Sequence, residues 1–183
     1  FGFDINLKRY NMSNTLRLLT NVVLFQLGWF ACLLLSGVWV VSIAITVLLL
    51  HFYFIVPQEQ RIKELNLIVI VLFVGVILEL CYLFGEVLIR SGGESYPAFW
   101  LLIIWTLFAT TFRYSLSWLR PKLWLASIFA GVAAPMSYYA GASLNATVSL
   151  NDNAIFSLAV IAVSWAIVFP LLMKKLVPVT QQS

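Results

Sequence analysis

The sequence predicts an all-α, polytopic membrane protein of six transmembrane helices with both termini in the cytoplasm. Three observations carry this reading. Six apolar runs follow one another, each close to the roughly 20 residues that cross about 30 Å of hydrocarbon. Only 10% of the 183 residues are charged while 62% are hydrophobic, whereas a soluble domain carries about 25% charge. The basic residues are also lopsided. Lys8, Arg9, Arg17, Arg61, Lys63, Arg120, Lys122, Lys174 and Lys175 fall on the side of the termini and only Arg90 on the other, the positive-inside pattern.

In chain order, residues 1–14 form a cytoplasmic segment, 15–175 the transmembrane domain and 176–183 a cytoplasmic tail. The chain opens on Phe, and Met12 precedes a conventional membrane-protein start. Two origins for residues 1–11 stay open: sequence upstream of a start at Met12, or a processed N-terminus. The first helix is predicted over Thr15–Ser36, with Gly28, Cys32 and Ser36 forming a small-residue stripe of the kind that lets helices approach closely. Ser36-Gly37 is too short for anything but an antiparallel return. The second helix then covers Val38–Val56, and the polar loop PQEQRIKE follows. The third is predicted over Leu65–Leu88, the fourth over Ala98–Leu119, the fifth over Lys122–Ala142 and the sixth over Ala154–Met173. No strand alternation recurs. Trp118 and Trp124 are expected at the inner membrane face, and Trp39, Tyr96 and Trp100 at the outer one.

Ionisable groups inside apolar spans are costly and therefore candidates for function. Here they are Glu79, Arg113, His51 and, nearer the outer mouth, Glu86. Gly75, Glu79, Tyr82 and Glu86 share one helical face; Thr106, Thr110, Arg113 and Ser117 share another. At 1.5 Å per residue, Arg113, His51 and Asn21 lie in one layer, with Glu79 about 10 Å above Arg113. A direct Glu79–Arg113 pair would need a bend, and snorkelling of Arg113 to the headgroups is the plainer alternative. Desolvation penalises a charged carboxyl, so Glu79 is expected to hydrogen-bond Gln26, Tyr138 or a ligand. Asn21, His51 and Glu86 could form a polar relay. One histidine excludes a histidine metal cluster, the two aspartates lie outside the spans, and no phosphate-cradling glycine motif is present. No catalytic residue, metal or cofactor is therefore assigned.

The fifth helix places Ala126, Ala130 and Ala134 on one line and is expected to be interrupted at Pro135, as helices lining cavities can be. Trp29, Trp105 and Trp165 lie too deep for the interface and could wall a pocket.

NVVLFQLGWFACLL in the first helix, FWLLIIWTLFATTFRYSLSWL in the fourth and GVAAPMSYYAGASLNA in the fifth resemble a family of small bacterial inner-membrane proteins catalogued as a domain of unknown function. The resemblance covers roughly Met12 to Lys175. It implies a bacterial inner-membrane location and no known activity. Genes of such proteins accompany enzymes that modify membrane fatty acids, which implies an accessory part in membrane-lipid metabolism or stress response.

The leading functional expectation is a binding protein for a membrane lipid or small amphiphilic molecule. Gln26, Glu79, Thr106, Thr110, Arg113 and Tyr138 would supply the polar contacts, and Arg113 would pair with an anionic headgroup. Loss of Arg113 would then release the ligand. The alternatives are a small transporter or the embedded substrate-binding subunit of one, an intramembrane enzyme using Glu79 or His51, and a structural protein whose first or fifth helix packs on a partner. Basic residues sit at helix ends without interleaved aromatics, so nucleic acid is not an expected partner.

Overall fold

Every apolar run becomes helical, but not always over the predicted length. The computed structural model describes residues 13–178, so expectations for residues 1–11 and for the end of the tail fall outside the described residues. Helix α1 (Asn14–Leu34) starts where the Ser13 hydroxyl accepts the Leu16 amide at 3.2 Å. Gly37, at φ 59°, supplies the left-handed turn that only glycine takes without cost. The chain then returns as α2 (Val38–Leu50). Ser36 lies beyond α1, so the small-residue stripe is shorter than predicted. At its end α2 widens into a π-turn over His51–Ile55, closed by the Val56 amide on the His51 carbonyl at 3.1 Å.

Helix α3 runs Arg61–Phe84, not Leu65–Leu88. The shift moves Glu64 from loop to helix and leaves Glu86 in an exposed turn at φ 54°. Strand β1 (Leu88–Arg90) pairs antiparallel with β2 (Val148–Leu150), the strand that follows α5. This two-stranded ribbon ties together the connections at one end of the bundle and is absent from the sequence reading. Helices α5 (Leu123–Leu144) and α6 (Ala154–Leu176) complete the fold.

The largest departure is in the fourth span. Helix α4 covers only Phe99–Ala109, and the predicted continuation to Leu119 is a series of turns with a 3-10 segment at Ser117–Leu119. The cause is local. Thr110 and Thr111 each turn their hydroxyl onto the carbonyl three residues back, at 2.6 Å, and their amides follow to the same carbonyls. Short polar side chains compete in this way with the helical ladder. Conversely α5 runs unbroken through Pro135, and α6 through Pro170, so the expected interruption of the fifth helix does not occur.

Among the described residues, five helices are long and apolar enough to cross a membrane, α4 being a shorter sixth. Outward-facing residues such as Leu27, Leu49, Phe73, Val132 and Val163 are exposed and apolar, as a bilayer-facing surface requires. Trp39, Tyr96, Trp118 and Trp124 are exposed too. Trp100, by contrast, is buried, with its indole N–H on the Thr147 hydroxyl at 2.9 Å. Helix α5 packs mainly along α6, α3 along α4, and α1 against α2 and α4; α5 meets α1 only sparingly.

Close approaches fix these pairs. A Cβ on Gly75 would collide with the Trp105 indole, which is held by stacking on Trp165 at 4.6 Å and cannot retreat. Gly75→Ala is therefore expected to lower stability by about 1–3 kcal/mol, read as an earlier unfolding midpoint in detergent. Gly131→Ala, where the nearest atom lies at 3.4 Å, serves as the control and should leave the midpoint unchanged.

Candidate functional site

Among the described residues, the buried ionisable side chains inside the bundle belong to two polar clusters, which lie beside a cavity. The first cluster is organised by Asn21, fully buried on α1. Its Oδ1 accepts the Ser115 amide at 3.2 Å and the Ser115 hydroxyl at 2.6 Å. Its Nδ2 donates to the Thr110 carbonyl at 3.0 Å. Asn21 thus replaces, with one side chain, hydrogen bonds that the break after α4 takes from the backbone. The same contacts fix the amide's orientation, so Nδ2 is the group that faces His51 Nδ1 at 3.5 Å. The neutral tautomer that suits this contact has Nδ1 as acceptor and its proton on Nε2. Nε2 donates to Glu64 Oε1 at 3.0 Å. Glu64 Oε2 has no hydrogen-bond partner among the described residues and faces the Arg113 guanidinium at 3.9 Å.

Glu64 is the residue that sequence reasoning missed, because PQEQRIKE reads as a solvated loop. A signal was present. Intervals of three and four residues lead from Tyr82 through Glu79, Gly75, Val71 and Ile68 to Glu64, and all six are buried on one face of α3. Arg113 consequently has a protein carboxylate for a partner, Glu64 rather than Glu79.

The second cluster is centred on Glu79. Trp105 donates its indole N–H to Oε1 at 2.9 Å, and the Tyr138 hydroxyl donates to the same oxygen. Tyr138 stands edge-on to Tyr82, whose hydroxyl meets that of Ser164. Glu79 and Glu64 lie on the same face of α3, about four turns apart at 1.5 Å per residue, and so serve separate clusters.

Between α1, α4, α5 and α6 lies a cavity of about 660 Å³. Its walls are aromatic and small: Trp29, Trp105, Phe108, Trp165 and Phe169 face Ala130, Ala133 and Ala134. Among the expected ligand contacts, Gln26 and Tyr138 line it. Glu79 lies behind Tyr138 and Trp105, and Thr106, Thr110 and Arg113 do not line it. Thr106 and Thr110 spend their hydroxyls on backbone carbonyls. In the suggested relay Asn21 and His51 meet, but Glu86 is remote from them, its carbonyl accepting Asn151 Nδ2 at 2.9 Å.

Removing one member of a buried ion pair strands the other. Glu64→Leu should thus lower the unfolding midpoint more than Glu64→Leu with Arg113→Leu does relative to Arg113→Leu alone. A double-mutant cycle should return a coupling of about 0.5–3 kcal/mol; additive effects would mean that the pair is not formed.

No curated protein and no solved structure matches the chain. A model for a family described as "Protein of unknown function (DUF2878)" matches residues 18–171, a span that includes the cavity and both polar clusters. A multi-pass membrane protein by its helices, the chain belongs to the DUF2878 family of unknown function.

Proposed function

We propose that this protein binds a lipid-like molecule taken up sideways from the membrane between α1 and α5. One observation carries the reading: the 660 Å³ cavity is lined chiefly by apolar and aromatic side chains, and Val22, Phe129 and Met136, which also line it, are exposed on the apolar surface. Such a volume and lining are typical of sites for small organic ligands. The mouth lies along the lipid-facing sides of two helices, so the ligand that reaches it most readily is one already dissolved in hydrocarbon. The polar cluster of Asn21, His51, Glu64 and Arg113 keeps the broken α4 segment in place, and through Ser115 it adjoins the cavity wall.

Transport is the second reading. Irregular backbone at membrane depth is tolerated where it lines protein or a cavity, and transporters use it at their binding sites. Thr111 and Ser115 of the break do line the cavity. We further infer residence in a bacterial inner membrane with both termini cytoplasmic, from the charge distribution and the family resemblance, and an accessory part in membrane-lipid metabolism.

The test is native mass spectrometry of protein purified in mild detergent. The wild type should carry one lipid-sized molecule per chain. Ala130→Leu with Ala133→Phe, which fills the cavity, should lose it while helical circular dichroism is retained. Arg113→Leu should keep it, in contrast to the expectation from sequence. An empty wild type, or equal occupancy in the filled variant, would sink the reading and favour a partner helix as occupant of the α1–α5 gap.

A further inference from the structure

Resting on that reading, we infer that the ligand is an uncharged lipid whose body carries a hydrogen-bond-accepting oxygen, a carbonyl above all, at mid-depth in the bilayer. Among the described residues, the cavity walls include no Asp, Glu, Lys, Arg or His. A carboxylate or phosphate seated there would lie desolvated without a counter-charge, which costs several kcal/mol. The two arginines closest in sequence to the cavity-lining segments are already engaged. Arg113 faces Glu64, and Arg120 donates to the Val177 and Lys174 carbonyls. The ligand's polar part is therefore neutral.

Its position follows from which polar groups remain free. The Tyr138 hydroxyl is spent on Glu79, Thr111 on the Phe108 carbonyl, Ser115 on Asn21 and the Trp100 indole on Thr147. Three groups are left, the first being the buried Trp165 indole N–H, which lines the cavity and has no hydrogen-bond partner among the described residues. Ser137 accepts the Trp29 indole N–H at 3.0 Å, and among the described residues its own O–H donates to no protein group. Gln26 lines the cavity one turn before Trp29 on α1, and its amide has no hydrogen-bond partner among the described residues. It is exposed near the middle of an apolar helix, where an unpaired amide is costly in hydrocarbon. A carbonyl oxygen entering the cavity would find donors and no competing charge there: the Gln26 N–H, the Ser137 O–H and the Trp165 N–H. The aromatic walls above and below would cover the apolar parts on either side.

The experiment uses three probes in nanodiscs: laurone (a symmetrical long-chain ketone), tricosane (the corresponding alkane) and stearate. Occupancy is read by native mass spectrometry. Wild type should prefer laurone to tricosane by about tenfold, the worth of one well-placed hydrogen bond, and take up stearate least. Gln26→Leu with Ser137→Ala, Trp29→Phe and Trp165→Phe, which removes the free donors and the Trp29 N–H that loss of Ser137 would release, should bind both neutral probes alike while helical circular dichroism is retained. Equal uptake of laurone and tricosane by wild type would overturn the polar recognition and leave the cavity reading standing. Preference for stearate would overturn neutrality. Uptake of none of the three, with the natural occupant also absent, would overturn both inferences.

Discussion

A chain that leaves the α-helix inside an apolar bundle must find other partners for its peptide groups, because no solvent will supply them. Here that constraint is met by Asn21. Its amide accepts twice from Ser115 and donates to the Thr110 carbonyl, bridging the gap that opens when Thr110 and Thr111 tighten the backbone after Ala109. Much of the interior depends on this clamp. It fixes the register of the 110–116 segment, and with it the placement of Arg113 against Glu64 and of Tyr114 against the His51 ring, 5.4 Å away and nearly perpendicular. The π-turn at the end of α2 belongs to the same arrangement, since it carries His51 at its first position. Irregularities in two helices thus meet at one buried amide.

The other half of the molecule is held differently. Trp105 stacks on Trp165 and donates to Glu79, so one indole joins α3, α4 and α6. Phe108, Phe112 and Phe169 continue this aromatic contact toward the break. Large rigid side chains on α4 and α6 meet small ones on α5, with Ala130 and Ala134 facing inward. Alanines leave the space open: the large rings hold the frame apart and the short side chains opposite do not fill it. The cavity follows from that mismatch in size along the α1–α5 seam.

The helices were legible in the sequence because hydropathy over twenty residues is a strong, redundant signal, and the layer shared by Asn21 and His51 followed from helical rise alone. The break in α4 was not legible. Its cause is two hydroxyls choosing i−3 carbonyls, and threonines occur in many intact membrane helices. Proline misled in the opposite direction: Pro135 removes one amide yet α5 carries on, since a single lost hydrogen bond does not outweigh its packing along α6. Glu64 was hidden by its neighbours, because Arg61, Lys63 and Glu59 make the stretch look solvated although one face of it is already inside. Arg113 was rightly singled out as unusual, but its partner depended on where α3 begins, a boundary that lies one helical turn earlier than hydropathy alone suggests. The cavity could be anticipated only as three deep tryptophans. Which polar groups stay uncommitted beside it depends on side-chain pairings that no spacing rule fixes.

The Glu64–Arg113 pair also bears on how the chain is assembled. Helix α3 carries its carboxylate at the start, and the segment after α4 carries the matching cation, with the β1 connection emerging between them. A growing chain delivers Glu64 to the bilayer before Arg113 exists to neutralise it. During that interval His51, already made, can offer the carboxylate a hydrogen bond. The order of residues along the chain therefore makes His51 the first companion of that acidic group, one it keeps when the later segment arrives to complete the pair.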